Sequence, residues 1–179
     1  MRDLPDPGFA GDVGAAEPAL TSALATYAAV AGDATGAAYL DALAALQSTR
    51  LLVPVVALLG DVDRDPAGLA HDKSSDMAAV LLTGVDGRLA LLAFTGLESL
   101  RRWDSGARPV PVTTQTAARS AVQEQAAALV VDVAGPTTFV VEGDDLAGLA
   151  AGWTLVRVAG RAGERSAWIR SPGESSASI

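Results

Sequence analysis

The sequence has no cysteine, one histidine, one lysine and an aromatic share of only 4%. Each shortage excludes a chemistry. Without cysteine there are no disulfides, no thiolate nucleophile and no Cys-ligated zinc. With His71 alone, a multi-histidine metal site is ruled out, and a lone histidine in a polar stretch reads as a solvated side chain. Phosphate-binding glycine loops of the GxxxxGK[ST] or GxGxxG type are missing, as is a GxSxG nucleophile elbow. No apolar run approaches the roughly 18 residues that a membrane helix needs; Leu51 to Leu59 is half that length and contains Pro54. The first residues, MRDLPDPGFAGDVG, are acidic and rich in Pro and Gly, unlike a signal peptide. The expected location is the cytoplasm.

What is present is an acidic, alanine-rich chain of 179 residues with net charge −8, long enough for one domain with a real core. That charge, with no basic stripe against it, argues against a nucleic-acid partner. Apolar spacing predicts helices over Pro18–Val30 and Gly36–Gln47. Arg50 to Leu59, RLLVPVVALL, reads as a strand, and Pro54 within it implies an edge position or a local irregularity. Asp76–Thr83 and Arg88–Phe94 read as a hairpin turned at Asp86-Gly87, with strands apolar enough to be covered on both faces. Thr95-Gly-Leu-Glu98 fits a capping box opening the helix LESLRRW. Pro109–Val112 reads as an edge piece. Thr113 or Thr114 caps a helix running to Ala128, and strands follow at Leu129–Ala134, Thr137–Val141 and Trp153–Val158.

The predicted fold is a single α/β (α+β) domain, a mixed sheet of about six strands with helices against it. The passage from Pro109 to Val133 permits a parallel crossover. Residues 1–16 are expected to be a flexible leader, 17–159 the domain, and 160–179 a polar, disordered tail.

Few residues carry candidate chemistry. Asp61, Asp63, Asp65 and Asp72 match the spacing of a calcium loop, but Pro66 stands where such a loop needs glycine and no helix precedes it, so no tight calcium binding is expected. Glu142, Asp144 and Asp145 could act as general acid and base, yet they stand where the next helix needs a cap. Lys73 lies beside Ser74 and Ser75, a pairing that is catalytic only when the lysine is desolvated. Arg101, Arg102 and Trp103 adjoin at a helix end, and Trp and Arg are the side chains most often found at binding hot spots.

The stretches KSSDMAAVLLTGVDGRLALLAFTGLESLRRW, PVPVT and LVVDVAGPTTFVVEGDDL resemble, in order and wording, the SseB (enhanced serine sensitivity) family in its actinobacterial form, over Tyr39 to Val158. The resemblance implies the family's N-terminal domain without the second domain of longer members. It implies no catalytic residues and no assigned activity. The expected function is therefore a non-enzymatic binding or regulatory module without a cofactor. Its expected partner is a protein, with homo-oligomerisation left open and neither nucleic acid nor membrane involved. The alternatives are a carboxylate-based enzyme or small-ligand protein, and a toxin-neutralising partner whose acidic surface would meet a basic enzyme.

Overall fold

The computed structural model describes residues 9, 11–30, 36–58, 76–160 and 163–170. Two helices open the fold, α1 (Pro18–Ala29) and α2 (Ala37–Gln47). Leu20, Leu24 and Tyr27 of α1 and Tyr39, Leu43 and Leu46 of α2 are buried, as the helical spacing requires. Strand β1 (Arg50–Leu58) follows, then β2 (Asp76–Ala79), β3 (Leu81–Thr83) and β4 (Leu89–Ala93). The short helix α3 (Leu97–Trp103) leads to β5 (Arg108–Thr113), α4 (Thr114–Gln123), β6 (Ala128–Val131), β7 (Phe139–Glu142) and α5 (Gly143–Ala151). A hairpin of β8 (Thr154–Gly160) and β9 (Gly163–Ile169) ends the described chain.

The single sheet anticipated from the sequence is divided into three, in the orders β2-β1-β5, β3-β4-β6-β7 and β8-β9. The first two are stitched together where Leu52 and Phe94 exchange backbone hydrogen bonds of 2.8 and 2.9 Å. Val80 is a second stitch: its N–H donates to Pro54 O and its carbonyl accepts from Leu92 N, both at 3.2 Å. β1 is thus the middle strand of its sheet, not an edge. Pro54 is tolerated there because it faces Pro109 across the β1–β5 pair, while on its other side the ladder is interrupted at Val80 between β2 and β3. The edge expected for Pro109–Val112 is observed, since β5 is an outer strand. The parallel pair is β4 with β6, not β5 with β6, so the crossover runs through α3, β5 and α4.

Strand alternation sorts side chains into two cores. Leu51 and Val53, Leu91 and Ala93, Leu129 and Val131 join α1, α2, α4 and α5 in the main core. Leu52, Leu92 and Phe94 face the other way and meet Leu100, Leu97 and Trp103 of α3 and the segment after it. Coverage of both faces, anticipated from the continuous apolar text, holds for β4. It fails for the outer strand β3, where Leu82 is 39% exposed.

The hairpin turn is as the Asp86-Gly87 signal implies. Gly87 N donates to Gly84 O at 3.0 Å. Gly87 has φ +80°, and a β-carbon at this position would meet nothing within 4 Å. Gly87→Val should therefore cost about 1–2 kcal/mol through backbone strain alone, without a steric clash. An unchanged urea midpoint would overturn this account of the turn.

Two stretches expected to be flexible are built into the domain. Residues 11–16 lie against β1 and α3, with Leu97 N donating to Gly14 O at 2.8 Å. Strand β9 occupies part of the expected tail and pairs with β8 from Gly163 to Ile169. Trp168 secures it: the indole N–H donates to Asp145 at 2.8 Å, and a β-carbon on Gly148 of α5 would come within 2.4 Å of the Trp168 ring.

Candidate functional site

The β4 and β6 strands run parallel and end side by side, and the chain leaves them at Thr95 and Asp132. The crevice beyond the carboxyl ends of parallel strands is a common place for ligands in α/β sheets. Here a cleft of about 380 Å³ opens between α1 and α3, lined by Ala15, Leu24, Thr95, Ser99, Asp132 and Thr137 among others.

Asp132 is the residue that sequence reasoning missed. It is 4% exposed and holds a left-handed backbone conformation, φ +55°, which is uncommon outside glycine. Its carboxylate accepts from Thr95 N at 2.9 Å and from Thr95 Oγ1 at 2.6 Å. The signal in the sequence was a single acidic residue inside the apolar text LVVDVA, because an isolated carboxylate is placed in such a run only where it has partners.

This geometry corrects the capping box. The N-cap of α3 is Gly96, which has no side chain to cap with, and Thr95 gives its hydroxyl to Asp132 instead. Glu98 does not reach back; it accepts from Arg102 at 2.5 Å, one turn along. A hydrogen bond to an ionised carboxylate is roughly twice as strong as one between neutral groups, so the buried charge outcompetes the local backbone amide.

Gly14, Ala15 and Ala16 form one wall of the cleft, and Arg50 fastens the segment that carries them. The guanidinium donates to Asp12 at 2.6 and 3.0 Å, to Ala15 O at 2.6 Å and to Thr95 O at 2.5 Å. Gly96 lets this wall approach: a β-carbon there would lie 2.9 Å from Ala16 N and 3.0 Å from Gly14 O. The hydrogen bond from Arg50 holds the Asp12 carboxyl below the ordinary aspartate value of 3.8. A depressed folded-state value means the stabilisation is complete above 3.8 and is lost as pH falls through the lower folded value. The Gly14 and Leu97 amide resonances should accordingly shift in acid with an apparent pKa below 3.8. The same titration in Asp12→Asn would sink the assignment if it were unchanged.

Of the other candidates, Asp61, Asp63, Asp65, Asp72, His71 and Lys73 lie outside the described residues. Among the described residues no group of three or more acidic or histidine side chains is gathered as metal ligands would be. Glu142, Asp144 and Asp145 do not cap α5 as expected: its N-cap is Glu142, which makes no side-chain capping bond. Asp145 is drawn inward instead, accepting from Tyr39 OH at 2.9 Å and from Trp168. Burial first, and then the Asp145 carboxylate, push the Tyr39 phenol well above its usual range. Asp145 thereby fastens α5 to α2 and β9.

Arg101, Arg102 and Trp103 are brought to one end of α3. Trp103 is half-buried, its ring 5.5 Å from that of Phe94, while both arginines are exposed and Arg102 is paired with Glu98. A smaller cleft of about 250 Å³ lies beyond, lined by Pro54, Val80, Trp103 and Arg108 among others. The helix α3 is thus the wall between two clefts.

A family model described as the SseB protein N-terminal domain matches residues 20–148. The chain belongs to the SseB family. The match spans both layers of the fold, from α1 into α5, and takes in Thr95, Asp132 and all of α3. The SseB domain here therefore includes the whole floor of the larger cleft, while the fastened segment 11–16 and the β8–β9 hairpin lie outside the matched stretch. No curated protein and no solved structure matches the chain. Among the described residues, no helix is long and apolar enough to cross a membrane.

Proposed function

We propose that this SseB-family chain is a non-enzymatic cytosolic binding or regulatory module that meets a protein partner through α3. The observation that carries the reading is the placement of α3. It stands across the sheet from α1, α2, α4 and α5, between two clefts, and presents Arg101 and part of Trp103 outward. Two polar side chains of α3 itself are already engaged, Arg102 by Glu98 and the Ser99 hydroxyl by Gly96 O at 3.0 Å. Such a surface suits recognition by shape and by a few anchors better than bond-making chemistry.

The test is quantitative co-purification from the native lysate with Arg101→Glu, using Arg119→Glu on the exposed side of α4 as a control. The expected result is a stoichiometric protein lost with Arg101→Glu and retained with Arg119→Glu. The same proteins captured by both variants would overturn the reading.

A further inference from the structure

The Asp132 carboxylate is buried on the cleft floor with two hydrogen bonds from the described residues, both from Thr95. An ionised carboxylate offers about four acceptor positions, so half of its capacity is open. No arginine, lysine or histidine is ion-paired with it among the described residues. The other charges lining the cleft, Glu98 and Arg102, neutralise one another at 2.5 Å, which leaves the Asp132 charge in excess. Thr137 lines the same cleft half-buried, and its hydroxyl makes no hydrogen bond with the described residues. Much of the remaining wall is apolar, with Ala15, Ala16, Leu24, Ala25 and Pro136, and the Thr21 and Ser99 hydroxyls that also line it donate to Glu17 O and Gly96 O.

We infer that this cleft binds a protonated primary amine carried on a short aliphatic body. The ammonium donates to the open positions of Asp132 and to the Thr137 hydroxyl, and the aliphatic part lies along the alanine wall. One carboxylate with one hydroxyl is too few ligands to hold a divalent cation, which wants about six or more oxygens or several carboxylates. An ammonium needs only three acceptors, one of which can be water. The volume of about 380 Å³ is at the small end of ligand pockets and excludes a large occupant. The left-handed backbone at Asp132 fits the same reading, since strained conformations concentrate at ligand sites. The inference rests on the reading of the chain as a binding module and names what its larger cleft takes. A free amine and the lysine side chain of a partner present the same group.

The experiment is an amide NMR titration of the full chain with three probes: n-butylamine, n-butanol as the neutral control, and Nα-acetyl-lysine N-methylamide as the lysine source. Both amines should shift the amides of Thr95, Gly96 and Gly135, and butanol should not. Butylamine binding tighter than the lysine amide assigns a free amine; the reverse order assigns a lysine side chain. Asp132→Asn keeps the shape and an acceptor for Thr95 N while removing the charge, and should weaken both amines by at least about tenfold. Ala25→Phe fills the cleft from α1 without touching Asp132 and should block both. No shift with either amine, or equal affinity in Asp132→Asn, overturns the inference. Partner capture by the native protein that survives Asp132→Asn would leave the α3 reading standing when the amine result is negative.

Discussion

Phe139→Ala should destabilise the chain by about 3–5 kcal/mol, the largest loss expected from one side chain outside the cleft. Phe139 is fully buried at the start of β7, one of the two outer strands of the four-stranded sheet. Its ring meets Tyr27 edge-on at 5.1 Å and Tyr39 at 5.2 Å, so three of the chain's few aromatic rings form one cluster between α1, α2 and the sheet. Elsewhere the core is mostly Leu, Val and Ala, which cannot move far enough to refill a phenyl-sized void. The measurement is urea denaturation followed by far-UV circular dichroism. A loss below about 1.5 kcal/mol, the size expected of a volume-conserving swap, would show that the cluster is not the anchor of the main core.

The second large effect is expected at the Thr95–Asp132 contact. Asp132→Ala leaves the buried Thr95 N–H without its acceptor and removes two charge-assisted bonds, a cost of about 3 kcal/mol. Thr95→Ala removes one bond and leaves the carboxylate short of a donor, at about 2 kcal/mol. The double variant should lose clearly less than the sum, because each partner's penalty is largely that of stranding the other. Glu98→Ala discriminates between this contact and a local capping box. The Glu98–Arg102 pair is exposed, so the loss should stay under about 1 kcal/mol. A Glu98→Ala loss as large as that of Thr95→Ala, with Asp132→Ala neutral, would restore the capping box and remove the basis of the cleft.

Much of the fold was legible because it follows from local periodicity. The apolar spacing of α1 and α2, the Asp86-Gly87 turn and the Thr113 cap, whose hydroxyl accepts from Thr116 N at 3.1 Å, are all decided within a few residues of chain. The candidate site was legible only in part. Arg101, Arg102 and Trp103 could be placed together because they are neighbours in sequence on one short helix. Asp132 could not be paired with Thr95, because 37 residues separate them and their contact depends on β4 and β6 lying side by side. The same holds for Asp145, whose donors Tyr39 and Trp168 lie 106 and 23 residues away. In both places a polar side chain that suited a local cap was taken by a distant partner, since a buried donor or carboxylate costs more when stranded than a helix end exposed to water.

The sequence by itself determined the family, the exclusion of thiol and multi-histidine chemistry, and the order of elements as far as β8, except that the strand expected over Asp76–Thr83 is split into β2 beside β1 and β3 beside β4; these depend on residue type and short-range spacing. Only the tertiary structure decided that one expected sheet is three, that β1 is central despite Pro54, and that residues 14–16 of the expected leader wall a cleft whose floor is Asp132. Strand partners, and the acceptor a hydroxyl finds, are chosen by which surfaces the whole chain buries against each other, and no window of sequence contains that information.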